Sequence, residues 1–148
     1  MTRVYVAAPF ARGPFVVAAV HPALAVRGLT CTASWAAAAD GAPERLDALP
    51  IERVRGIAAR NDADLAGSDV LLVLGDQGTG REMYAEARIA IALGLPVVWL
   101  GPPFPLSAYR EGVERVVSLE AAIGAIDAID ALVARSADRR ALARAATR

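Results

Sequence analysis

Short apolar runs of strand length alternate along the chain with longer segments in which apolar residues recur every three or four positions. Arg3 to Ala8 (RVYVAA) reads as a buried strand, and Phe15 to Arg27 predicts a helix that Pro22 breaks or kinks. Leu29 to Ser34 (LTCTAS) predicts a second strand, followed by a polar, alanine-rich loop with Gly41 and Pro43. From Ile51 to Leu65, the residues Ile51, Val54, Ile57, Ala58 and Leu65 keep helical spacing. Asp69 to Gly75 (DVLLVLG) is the clearest central strand. A helix from Glu82 to Leu93 ends at Gly94, a residue suited to the left-handed turn that closes a helix. Pro96 to Gly101 predicts a fourth strand, Gly101 to Pro105 a loop, Val113 to Leu119 a short fifth strand and Glu120 to Arg135 a final helix. The Arg- and Ala-rich tail either extends that helix or frays.

Continuous apolar strands between helices imply a parallel sheet covered on both faces. Five such units predict a flavodoxin-like or Rossmann-like doubly wound α/β fold, strand order 2-1-3-4-5, in one domain over residues 1–148. Ligands of such sheets bind beyond the carboxyl ends of the strands, near the switch point between strands 1 and 3. The positions that matter are therefore Ala8, Pro9 and Phe10, then Ser34 and Trp35, then Asp76 to Arg81, and Gly101 to Phe104.

Composition narrows the chemistry. Sixteen basic and sixteen acidic side chains balance, so neither a nucleic-acid surface nor a polybasic membrane patch is expected. The chain contains no lysine, which excludes Schiff-base chemistry and a phosphate-loop lysine. A single cysteine, Cys31, forms no intrachain disulfide and fits a cytoplasmic setting. With only His21 as a second soft ligand, no metal site is expected. No apolar stretch reaches the length of a membrane span, about 18 residues.

The loop Asp76-Gln77-Gly78-Thr79-Gly80-Arg81 offers close backbone approach, an N-cap at Thr79 and a guanidinium fork at Arg81. It is equally consistent with an ordinary capped turn. Glu82 stands three residues after Thr79, the capping-box position. Glu86 lies one turn further on the same helix face, in line with the apolar Ile89, Ala90 and Leu93. A carboxylate there either pairs with Arg81 or Arg88 at the surface or serves a site. Asp62 and Asp64 read as turn residues ahead of strand 3, with Asp62 able to bring a second carboxylate to the mouth of the sheet. Tyr5, inside strand 1, needs a partner for its hydroxyl and can orient a carboxylate. Trp35 closes strand 2, where it stacks on a flat ligand or plugs the sheet edge. His21 and Cys31 read as structural.

Taken together, VYVAAPF, TASW, NDADLAGSDVLLVL and REMYAEARIAIALGLPVV resemble the nucleoside 2-deoxyribosyltransferase family and the related nucleoside 5′-monophosphate N-glycosidases, over residues 3–101. The resemblance implies a cofactor-free enzyme that cleaves or transfers the N-glycosidic bond of a (deoxy)nucleoside or its 5′-monophosphate. Glu86 would be the nucleophile; counting forward from Asp76 puts Glu82 there instead. Arg88 stands where the family has a glycine. Tyr5 would orient Glu86, Asp62 would bind the base or move its proton, and Asp76 would assist. Gly78, Thr79, Gly80 and Arg81 would hold the 5′ end of the sugar. Ala8, Pro9, Phe10 and Trp35, at the strand ends, are the remaining candidate substrate contacts. The resemblance also implies a homodimer or larger homo-oligomer. A non-catalytic nucleotide-binding or sensor module on the same fold, and a phosphoribohydrolase of the lonely-guy type, are the alternatives.

Overall fold

A computed structural model of the chain describes residues 1–37, 49–75, 81–102 and 106–146, with side chains through residue 134 of the last helix. The strands are β1 (Arg3–Ala7), β2 (Thr30–Cys31), β3 (Val70–Leu74), β4 (Val97–Leu100) and β5 (Val113–Val116). They form one parallel sheet in the order β2-β1-β3-β4-β5, as the alternating pattern predicts. β1 and β3 lie at the centre, with Val4 beside Val70 and Ala7 beside Val73. Val4 through Ala7 and Val70 through Leu74 are all buried, so both faces of these strands are covered. Each fully buried Val or Leu there contributes roughly 1.5–3 kcal/mol relative to an exposed one.

The helices are α1 (Gly13–Phe15), α2 (His21–Val26), α3 (Ile51–Ala66), α4 (Arg81–Ala92) and α5 (Leu119–Ala146). The predicted helix over 15–27 is α1 and α2 joined by one wide turn at Val16–Val20, in which the His21 N–H bonds back five residues to the Val16 carbonyl. Pro22 has no N–H, and its ring crowds the carbonyl four residues earlier. The wide turn absorbs that interruption, so Pro22 bends the segment without ending it. α4 closes as predicted on Gly94, at φ +72°. The Leu95 N–H bonds to the Ala90 carbonyl and the Gly94 N–H to that of Ile91, satisfying two of the helix's last acceptors. α5 is capped by the preceding Ser118, whose Oγ accepts the Ala121 N–H, and its backbone continues well beyond the predicted Arg135.

Four expectations are corrected. β2 spans Thr30–Cys31, much shorter than the predicted 29–34, and Ser34–Ala37 is a 3-10 turn. The reason is tertiary: the Asp64 side chain takes the Ser34 N–H and hydroxyl, and the chain leaves the ladder there. Asp62 and Asp64 are not turn residues but lie within α3, which runs on to Ala66. The apolar line drawn through Glu82, Glu86, Ile89, Ala90 and Leu93 is not the buried stripe of α4. Met83, Ala87 and Ala90 are buried, whereas Glu82, Ile89 and Leu93 are exposed. β5 is also shorter than predicted, since Val117 already stands in solvent. The expected loop around Gly41 and Pro43 lies outside the described residues, as does part of the 101–105 loop.

Candidate active site

Tyr5 and Glu86 meet because a strand and a helix each aim one polar group at the same interface. In β1, Tyr5 alternates with Val4 and Val6 and so points to the opposite face of the sheet from them. That face carries α4. Glu86 lies three residues after Met83 and four before Ala90, which puts it on the flank of the stripe that α4 buries. The Tyr5 hydroxyl donates a hydrogen bond of 2.6 Å to Glu86 Oε1. Tyr5 itself is fully buried, and Glu86 is half-buried.

Burial, the largest cause, together with the negative charges of Glu82 and Asp62, pushes the Glu86 carboxyl up to about 7, against the downward pull of the Tyr5 hydrogen bond. Burial, then the Glu86 charge, drives the Tyr5 phenol well above its ordinary range, so Tyr5 stays a proton donor. A carboxyl poised near neutrality, beside a fixed O–H donor, is available both as a carboxylate nucleophile and as an acid.

The other candidate residues sort by position. Glu82 is exposed in the first turn of α4. Asp62 is exposed on α3, and its negative charge contributes to the raised pKa of both Glu86 and Tyr5. Ala8, Pro9 and Phe10 leave the end of β1, with Pro9 buried and Phe10 half-buried. Trp35 does not close β2 but sits in the 3-10 turn after it. Its Nε1–H donates 2.9 Å to the Val6 carbonyl, and its ring meets that of Phe10 edge-on, with centroids 5.6 Å apart. Arg81 is the exposed first residue of α4. Asp76, Gly78, Thr79 and Gly80 lie outside the described residues, so the loop's sugar-binding and capping roles are untouched by the geometry.

Two features were given no part in a site by the sequence reading. At the end of β3, Gly75 lies against Trp99: a Cβ there would come within 2.6 Å of Trp99 Nε1 and 3.0 Å of the Pro102 carbonyl. Trp99 donates its Nε1–H to that carbonyl at 3.2 Å and stacks parallel to Tyr84 of α4. A glycine ending an apolar strand was the only available signal. The second feature is Asp64, whose side chain faces inward. The half-buried positions Val54, Ile57, Asn61 and Asp64 keep helical spacing on α3, and that spacing was readable in advance.

Among the described residues, no three His, Cys, Asp or Glu side chains gather as metal ligands, and no helix is long and apolar enough to cross a membrane. Burial lowers the pKa of His21 and raises that of Cys31.

No protein-family model matches the sequence, and no curated protein matches it. Solved structures do match the fold. One is the 2-deoxyribosyltransferase of the psychrotolerant bacterium Bacillus psychrosaccharolyticus, with a TM-score of 0.63 and 16% identity over 80% of this chain and 88% of that one. Another is a conserved protein from Enterococcus faecalis V583, with a TM-score of 0.57 and 20% identity over 84% of this chain and 96% of that one. At such identities the likeness is one of fold.

Proposed function

We propose that the protein cleaves or transfers the N-glycosidic bond of a (deoxy)nucleoside or its 5′-monophosphate, with Glu86 as the nucleophile. The observation that carries this reading is the 2.6 Å hydrogen bond from Tyr5 to Glu86 on the α4-bearing face of the sheet. The shared fold supports it, because the Bacillus protein of the same architecture is a 2-deoxyribosyltransferase described as a suitable biocatalyst for nucleoside synthesis.

Breaking the bond between C1′ and the base nitrogen builds positive charge on the sugar. The Glu86 carboxylate attacks C1′, the C1′–N electron pair leaves with the base, and the base takes up one proton. Asp62 is the candidate to hold the base or supply that proton, with Asp76 assisting. The product is a glycosyl ester on Glu86. Attack at C1′ by water, or by a nitrogen of a second base, releases the sugar and restores the carboxylate, with one proton lost from the acceptor. Tyr5 holds Oε1 in one orientation throughout and keeps the carboxyl lower than burial alone would set it. Gly78 to Arg81 take the 5′ end of the sugar, where the Arg81 guanidinium at the amino end of α4 suits a phosphate. The whole chain acts as one such domain, assembled as a homodimer or larger homo-oligomer, and the reaction draws on no metal or organic cofactor.

A panel of ribo- and deoxynucleosides, with and without a 5′-phosphate, tests this directly. Release of free base is the expected result, and a second base added as acceptor separates transfer from hydrolysis. Glu86→Gln is expected to abolish turnover with folding intact. Loss confined to Glu82→Gln would move the nucleophile to Glu82. Ligand-raised Tm without free base would favour the binding module.

A further inference from the structure

We propose that Asp64 is a positioning residue that fixes Trp35 against Phe10 and so builds the wall on which the flat ring of the ligand rests. The ligand part of this inference rests on the reading above; the bracing part does not. Asp64 sits in the last turns of α3, and Asp64 Oδ2 accepts both the Ser34 N–H at 3.0 Å and the Ser34 Oγ–H at 2.5 Å. The Asp64 carbonyl also accepts the Thr32 hydroxyl at 3.2 Å. These contacts pin the chain where it leaves β2, one residue before Trp35. Trp35 is then held from its far end by the Val6 carbonyl, 2.9 Å from Nε1. The Trp35 ring stands at 85° to that of Phe10, which leaves β1.

Three segments distant in sequence thus converge on one half-buried aromatic corner. It lies at the carboxyl ends of β1 and β2, the edge of the sheet where doubly wound folds take their ligands. The position of Trp35 depends on bonds that Trp35 cannot make itself. With β2 only two residues long, no ladder carries the backbone past Thr32. Asp64 supplies the acceptor that the sheet does not. Its Oδ2 is already engaged by two donors of Ser34, which suits a bracing role and not direct attack on a substrate.

The chain has two tryptophans, so 5-fluorotryptophan labelling gives two fluorine resonances, assigned with Trp35→Phe. In Asp64→Ala the Trp35 resonance is expected to move and broaden, while that of Trp99 stays in place as the internal control. Asp64→Asn keeps an oxygen that accepts both Ser34 donors and is expected to restore the wild-type resonance. Ser34→Ala, which deletes only the hydroxyl bond, moves it less. With nucleoside substrates, Asp64→Ala is expected to raise KM about tenfold with kcat within about twofold, the pattern of lost binding that serves ground and transition states alike. An unmoved Trp35 resonance in Asp64→Ala overturns the brace. A fall in kcat at constant KM overturns it too, since Asp64 would then act on the chemistry. If the wild type neither binds nor turns over any nucleoside, the functional reading and the ligand-wall role fall together, and the ligand-free resonances alone decide the brace.

Discussion

Two acids touch the same strand two residues apart and meet opposite fates. At the amino end of β1, Asp69 Oδ1 lies 3.3 Å from Arg3 Nη2, with about half of each side chain in solvent. Asp69 Oδ2 also accepts the Arg3 backbone N–H at 2.8 Å. The Arg3 hydrogen bond holds the Asp69 carboxyl below its ordinary value despite some burial. Further along the strand, Glu86 has a neutral donor for a partner, two like charges for neighbours and little water, and its carboxyl rises to about 7. The first contact is what a surface acid does when it finds a cation. The second is an acid kept where ionising is costly, which is an arrangement that favours reactivity over stability.

The largest effect that would break this contrast is on Glu86. Glu86→Gln is expected to cut turnover by on the order of 10³-fold or more while folding remains cooperative, measured by base release and thermal melts. The sign of its stability effect sharpens the comparison. A carboxyl raised in the folded state favours folding below its unfolded pKa, and that contribution is lost as the pH rises through about 7. Glu86→Gln is therefore expected to raise Tm more at pH 8 than at pH 5. The gain is on the order of 1–3 kcal/mol, since each pKa unit is worth about 1.4 kcal/mol. A variant that melts lower at pH 8 would contradict the burial argument.

Tyr5→Phe comes next. It removes the one contact that lowers the Glu86 carboxyl. A rate loss of about 10–100-fold is expected, with the rising limb of the pH–rate profile moved to higher pH. Glu82→Gln, which removes a like charge, moves that limb the other way. Parallel shifts in the two variants would undo the electrostatic assignment.

Gly75→Ala tests how tightly the carboxyl end of β3 is built. The added methyl meets Trp99 Nε1 and the Pro102 carbonyl inside contact distance, so a destabilisation of about 1–3 kcal/mol in urea is expected. Asp69→Asn should have the smallest effect. The folded-state pKa of Asp69 is depressed, so its contribution is present above the unfolded value and fades as the pH falls through the folded one. The change in Tm at neutral pH should be slight and should disappear in high salt, because both partners are well exposed.

Much of this architecture was legible in the sequence, and the misses share a cause. Apolar runs such as DVLLVLG are buried on both faces and need no partner to be recognised, so the sheet and its order follow from them. The length of β2 depends on Asp64, thirty residues further along the chain; nothing within LTCTAS announces that its last N–H belongs to α3. In α4 the apolar residues are numerous enough to support more than one face, and the true stripe is centred on Met83, Ala87 and Ala90. Glu86 flanks that stripe and is half-buried. Tyr5 was readable as a buried hydroxyl in want of an acceptor, and Glu86 as a carboxylate among apolar residues. Their contact is a tertiary fact that neither segment contains. The roles expected of Asp76, Gly78, Thr79 and Gly80 fall on residues outside those described.

Trapping the glycosyl ester tests the role of Glu86 most directly. The protein is mixed with a nucleoside whose sugar carries fluorine at C2′, which slows breakdown of the intermediate, and is then digested with trypsin. The peptide spanning 82–88 (EMYAEAR) contains both candidate glutamates. The expected result is a mass increase equal to the sugar residue, placed on Glu86 by fragmentation and absent in Glu86→Gln. An adduct on Glu82, or release of base with no adduct on either residue, would contradict it.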